Sequence, residues 1–161
     1  DLLFLSAREK KEEAFRFLDQ RPEGKILIAG NNFGCGSSRE HAVWSMLQWG
    51  FRAVIAPSFG TIFQNNALKN GLLPIVLDVA VVDSIMKASV ADADFALSID
   101  LEHQQVKDPE GNTHYFDIDS YRKTCLLKGV DDFGYLLTHM EDIRRYDKEH
   151  AKHLFFDISC I

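Results

Sequence analysis

Short, wholly apolar runs alternate with stretches of helical spacing through the first half of the chain. "KILIAG" (25–30) is apolar after its lysine and bounded by glycine, the pattern of a buried strand. From Ser37 to Trp49 the apolar positions Ala42, Val43, Met46, Leu47 and Trp49 fall at helical spacing, with Gly50 as a stop signal. "RAVIAP" (52–57) predicts a second buried strand. Ser58 is expected to cap a helix through "FGTIFQNNALKN" (59–70), ended by Gly71 in a left-handed conformation, and "LLPIVL" (72–77) predicts a third strand. Short links in a β-α-β-α-β order imply parallel strands with helices packed over them. The second half changes character. "VVDSIMKASV" (81–90) predicts a short helix, and "FALSIDLEHQQV" (95–106) with "THYFDID" (113–119) a β-hairpin about the turn "KDPEGN". Asp131–His150 predicts one helix. The tail "HLFFDISCI" (153–161) is apolar enough to need a covering surface, and residues 1–24 are mixed, weakly ordered or helical. The expectation is a single α/β domain over 1–161: a mostly parallel core plus an antiparallel hairpin.

Composition and charge narrow the partners. With 46% hydrophobic and 26% charged residues the chain has ordinary globular composition. A formal charge of −6 and a pI near 5.5, with no basic run, argue against a nucleic-acid face and toward a small molecule or a protein. Cys35, Cys125 and Cys160 are widely and irregularly spaced, so no common zinc or iron–sulfur pattern can be built on this chain, and reduced thiols in a cytoplasmic protein are expected. No apolar run approaches the roughly 20 residues of a membrane span.

The chemistry concentrates where the first strand meets the first helix, "GNNFGCGSSREHAVW". Ser37-Ser38-Arg39-Glu40 fits a capping box, with Ser37 as the cap and Glu40 reaching back. That accounts for one serine and the glutamate, but not for Gly34, Gly36, a second hydroxyl and an arginine. A strand passing through a glycine turn into a helix presents free N–H groups and the positive end of the helix dipole, a ready anion site. The phosphate fingerprints G-x-x-x-x-G-K-[ST] and G-x-G-x-x-G both fail here, and so does the G-x-S-x-G hydrolase elbow. Two hydroxyls and a guanidinium, which grips a carboxylate through two parallel bonds, favour a carboxylic acid ligand. Cys35 with His41 offers a cysteine nucleophile as an alternative, although a small residue suited to a tight turn is the simpler reading. Asn65 and Asn66 read as braces, Trp44 and Trp49 as packing, and Glu12/Glu13 and Asp131/Asp132 as solvated or helix-starting charges.

These residues, with "GFRAVIAPSFGTIFQNNALKNGLLPIVL" after them, closely resemble the small subunits of bacterial 3-isopropylmalate dehydratase, and more broadly the mobile swivel domain of the aconitase superfamily. The likeness runs from about Lys25 to Leu77 and more weakly through "DPEGNTHYFDIDSYRKTCLLKGVDDFGYLL". It implies a three-layer swivel-type domain and a large partner subunit that holds a 4Fe–4S cluster, with no cofactor on this chain. The implied reaction is dehydration of 2-isopropylmalate and rehydration to 3-isopropylmalate, in leucine biosynthesis. Ser37 is then the catalytic base, and Ser38 and Arg39 contact the substrate carboxylate. Relatives acting on homoaconitate, citraconate or similar acids share this pattern, and a non-catalytic anion-binding module would use the same turn. The Asp-Thr-Asp-type motif and substrate-selecting loop that the resemblance leads one to expect are not found within the first 24 residues, so the expectation is of a family segment missing from this chain.

Overall fold

The computed structural model describes residues 3–4, 9–10, 24–36, 38–92 and 94–150. The expectations for most of residues 1–24, for Ser37, for Cys160 and for the tail 153–161 lie outside these. The chain falls into two compact units, Asp1–Gly129 and Val130–Ile161.

In the first unit the three apolar runs become β1 (Ile26–Ile28), β2 (Ala53–Ala56) and β3 (Leu73–Val76), a parallel sheet in the order β1-β2-β3. Ile26 pairs with Ala53 and Ala53 with Leu73, so β2 lies in the middle, and all four of its residues are buried. Strand periodicity sorts them onto two faces. Val54 and Ala56 join Leu27, Val43, Met46, Trp49, Phe63 and Ala67 in one core, beneath α1 (His41–Trp49) and α2 (Thr61–Asn70). Ala53 and Ile55 join Ile75, Val82, Ile85, Val106 and Phe116 in the other. The sheet is thus sandwiched, which explains why its strands are apolar without alternation. Pro74 stands within β3, opposite Val54. A proline lacks the ladder N–H and is tolerated because β3 is hydrogen-bonded on one side alone among the described strands.

The second face is covered by α3 (Val79–Ala91) and by a separate antiparallel sheet of β4 (Ser98–Asp100), β5 (Gln105–Lys107) and β6 (Thr113–Tyr115). Asp78 caps α3, accepting the Ala80 N–H at 2.8 Å, and the helix is longer than its apolar core suggested. The expected hairpin is a three-stranded meander. Its first arm is cut by a turn at Leu101–Gln104, where the Asp100 carboxylate accepts the His103 N–H at 2.9 Å and Gln104 takes a φ of +55°. In the second turn, Asp108 accepts the backbone and side-chain N–H groups of Asn112, both at 2.8 Å, and the side-chain bond chiefly lowers its pKa. α4 (Ser120–Lys128) closes the unit, capped by Asp119 through the Arg122 N–H and ended by left-handed Gly129.

In the second unit the single helix expected over Asp131–His150 is two, α5 (Asp132–Thr138) and α6 (Met140–His150), with the break at His139. Asp131 is a helix-starting charge as expected, accepting the Gly134 N–H at 2.7 Å. α6 carries Glu141 and Asp142 in its first turn and Lys148 and His150 in its last, each complementing the helix dipole.

Candidate functional site

At the carboxyl edge of the parallel sheet the chain leaves β1 through a turn over residues 31–36. Asn32 (φ +55°) and Gly34 (φ +76°) both take left-handed backbone there. The Cys35 N–H donates back to the Asn32 carbonyl at 3.2 Å, closing the turn. Gly34 has a steric reason to lack a side chain. A Cβ there would lie 2.3 Å from Cγ of Phe63, which is 2% exposed. The glycines therefore do what the pattern implied: one permits close approach of the turn to α2, as well as the left-handed φ.

Beyond the turn, Ser38 and Arg39 are both exposed, and the structure places them together immediately before α1. Ser37, their neighbour, lies outside the described residues. The Ser37 half of the expected capping box lies outside the described residues; α1 starts at His41, and its N-cap is Glu40, which holds helical backbone and makes no side-chain cap bond. The Arg39 and Glu40 carbonyls accept from the Ala42 and Val43 N–H groups at 3.3 and 2.9 Å, a tighter opening turn that delays the regular helix. Glu40 is thus too close to the helix start to act as the third helical residue that the box requires.

The remaining candidates separate. Cys35 is exposed in the turn and Cys125 is buried in α4. His41 is exposed at the head of α1, its ring tilted against Trp44 at 4.8 Å. Trp49 is core, as expected of a packing residue. Trp44 is 41% exposed instead and ties α1 to α2, donating its Nε1–H to Asn70 Oδ1 at 2.7 Å. The Asn66 carbonyl accepts the Asn70 side-chain N–H at 2.8 Å, and Asn65 is exposed. Among the described residues no three His, Cys, Asp or Glu side chains come together as a metal site. No step is therefore derived through a metal held by those residues. An open apolar groove of about 350 Å³ lies against the turn, lined by residues that include Phe33, Gly34, Gly36, Ala42, Met46 and Phe63.

One element of the site was not anticipated. Ser58 does not cap α2, whose N-cap is Gly60. Its hydroxyl instead accepts the Asn32 N–H at 2.8 Å, and its carbonyl accepts the Phe33 N–H at 3.0 Å. The signal available in the sequence is a repeat: Phe33-Gly34 and Phe59-Gly60 each follow a strand, and the strands are neighbours in the sheet.

A parallel sheet covered on both faces, with a separate antiparallel sheet and a glycine turn at its carboxyl edge, defines a mixed α/β domain. Residues 7–80 match the family profile of the aconitase C-terminal domain, and residues 83–120 match the profile described as LeuD_N. Over 134 residues the chain is 50% identical to the 3-isopropylmalate dehydratase small subunit of Saccharophagus degradans, covering 83% of this chain and 62% of that protein. The small subunit of Brevibacillus brevis is also 50% identical, over 125 residues, 78% of this chain and 64% of that one. The crystal structure of 3-isopropylmalate dehydratase from Methanocaldococcus jannaschii superposes with a TM-score of 0.58 at 30% identity, covering 78% of this chain and 70% of that chain. The chain belongs to the family of 3-isopropylmalate dehydratase small subunits. It spans 62% and 64% of the length of those two curated relatives.

Proposed function

We propose that the chain works as the small subunit of a heterodimeric or larger hydro-lyase that isomerises 2-isopropylmalate to 3-isopropylmalate by dehydration and rehydration, in leucine biosynthesis. The observation that carries this reading is the exposed Ser38–Arg39 pair at the head of α1, on the carboxyl edge of the sheet, in a chain of this family. Arg39 grips one substrate carboxylate through two parallel charged hydrogen bonds, and Ser38 donates a third. Ser37 takes the carbon-bound proton in the dehydration and returns it in the rehydration. A serine hydroxyl is a weak base in water, so it needs a site that stabilises its alkoxide. The Arg39 charge and closure of the site against water by a partner would supply that. The partner is a large subunit carrying a 4Fe–4S cluster, which when bound supplies a Lewis acid for the departing hydroxyl. The setting is the cytoplasm, a reading supported by the free thiols of Cys35 and Cys125 among the described residues; no helix among these residues is long and apolar enough to cross a membrane.

The test is reconstitution of the full-length chain with the large subunit and a panel of 2-isopropylmalate, homoaconitate and citraconate. Turnover of 2-isopropylmalate in the complex, and none by the chain alone, supports the reading. Ser37→Ala should then lower kcat by about 10²–10⁴-fold, the range for losing a general base. Wild-type-like turnover in that variant refutes Ser37 as the base. Preference for another acid on the panel refutes the substrate, and a ligand bound by the isolated chain with no turnover in the complex would make it an anion-binding module.

A further inference from the structure

The turn that precedes Ser38 and Arg39 is not held by its own segment alone. A second loop, residues 57–60 between β2 and α2, runs beside it. Three hydrogen bonds join the two: Asn32 N–H to Ser58 Oγ (2.8 Å), Phe33 N–H to the Ser58 carbonyl (3.0 Å) and Gly60 N–H to the Phe33 carbonyl (2.8 Å), the last two forming a parallel bridge between Phe33 and Phe59. The sheet pairing of β1 with β2 is thus carried past the strand ends into the loops. Beneath them Phe33 meets Phe59 and Phe63 edge-on, at centroid distances of 6.2 and 5.3 Å. The fit above is equally close, for a Cβ on Gly60 would stand 2.8 Å from the Cys35 Cα and 3.0 Å from its nitrogen. Two of these ties are main-chain, and any residue could make them. The Ser58 hydroxyl is the exception. It satisfies an amide whose residue is locked in left-handed backbone, φ +55°, where the turn begins.

The geometry points to Ser58 as a positioning residue for the reaction: its side-chain oxygen fixes the start of the turn, and so the register from which Ser38 and Arg39 follow. This inference rests on the function proposed above. Without the hydroxyl, the Asn32 amide turns to water and the turn samples several arrangements. Proton abstraction suffers first, because a base tolerates little misplacement, whereas the long Arg39 side chain can follow a displaced carboxylate. Loss of Ser58 should therefore act on kcat and hardly on KM.

The experiment compares wild type, Ser58→Ala and Ser58→Thr in the full-length chain assembled with its large subunit. Kinetics on 2-isopropylmalate, thermal melts and amide exchange at Asn32 are recorded for each. Ser58→Ala is expected to lower kcat about tenfold to a hundredfold with KM within about twofold, the scale of a small misplacement at a reacting centre. Asn32 amide exchange should speed up by about fivefold to tenfold, as expected for losing one modest hydrogen bond. The melting temperature should hold, and Ser58→Thr, which keeps the oxygen, should restore both readouts. Unchanged kcat in Ser58→Ala overturns the inference. So does a kcat loss that follows a fall in melting temperature and is not rescued by threonine. If the wild-type complex itself shows no dehydratase turnover, the proposed function fails, and Asn32 exchange alone decides: protection unaltered in Ser58→Ala overturns the positioning role, and protection lost in alanine but kept in threonine upholds it.

Discussion

A single methyl group at Gly34 tests the close packing on which the turn depends. The added carbon would fall 2.3 Å from Cγ of Phe63 and 2.7 Å from its Cβ and Cδ2, well inside contact distance. Phe63 is 2% exposed and hemmed on two sides, edge-on to Phe33 at 5.3 Å and stacked on Phe59 at 6.3 Å, so any shift disturbs that aromatic packing. Overpacking of this kind costs about 1–3 kcal/mol. The φ of +76° adds a second term, because a residue with a Cβ pays roughly 1–2 kcal/mol in left-handed backbone. Gly34→Ala is therefore expected to lose about 2–5 kcal/mol, against a total stability on the order of 5–15 kcal/mol for a folded domain. Gly36→Ala is the control, two residues away in the same turn. Among the described residues it has no heavy atom within 4 Å of its would-be Cβ, and it has no positive φ, so it should stay within about 1 kcal/mol of wild type. Urea unfolding followed by the fluorescence of Trp44 and Trp49 gives both differences, with slopes expected to be unchanged. Coincident midpoints for Gly34→Ala and wild type would refute the reasoning. An equal loss in Gly36→Ala would show that the turn dislikes any side chain, and that neither Phe63 nor the backbone angle is the cause.

Two further outcomes follow from the same geometry. Arg39→Lys keeps the charge but loses the planar fork, so KM for the dicarboxylate should rise about tenfold to a hundredfold, the equivalent of one charged hydrogen bond; an unchanged KM in steady-state kinetics would remove Arg39 from the clamp. Asp100 is held below its ordinary 3.8 first by the His103 backbone N–H and then by the His103 side chain at 2.8 Å. A depressed carboxylate stabilises the fold above its unfolded pKa, and that contribution is lost as pH falls through the folded value. The difference in urea midpoint between wild type and Asp100→Asn should therefore shrink as pH falls from about 5 to about 2, and a gap independent of pH would refute the assignment.

Much of the architecture was legible along the chain because burial on both faces leaves a local mark. β1, β2 and β3 could be read as apolar runs, and the helices between them as periodic stretches. Gly50 and Gly71 could be read as stops, for both take positive φ after a helix. The concentration of hydroxyls, glycines and a guanidinium at residues 34–39 was visible for the same reason: these are neighbours in sequence, and the structure keeps Ser38 and Arg39 side by side before α1.

What the chain could not disclose were the partners of residues far apart. Ser58 looks like a helix cap because it precedes a helix, yet its hydroxyl bonds an amide 26 residues earlier. Trp44 looks like core because it is aromatic, yet it reaches across to Asn70, also 26 residues away. Spacing puts Glu40 one turn into a helix, but the regular helix begins only at His41, after a turn pinned to the neighbouring loop. The meander in place of a hairpin is a different case, a local one: Asp100 turns the chain by bonding His103 three residues on, in a stretch whose period otherwise reads as one strand. Hydrophobic period records which side of an element meets the core, a property of the segment itself. A polar atom's partner is chosen by whatever the fold brings within 3 Å of it, and only the assembled sheet sets the glycine turn against its neighbour.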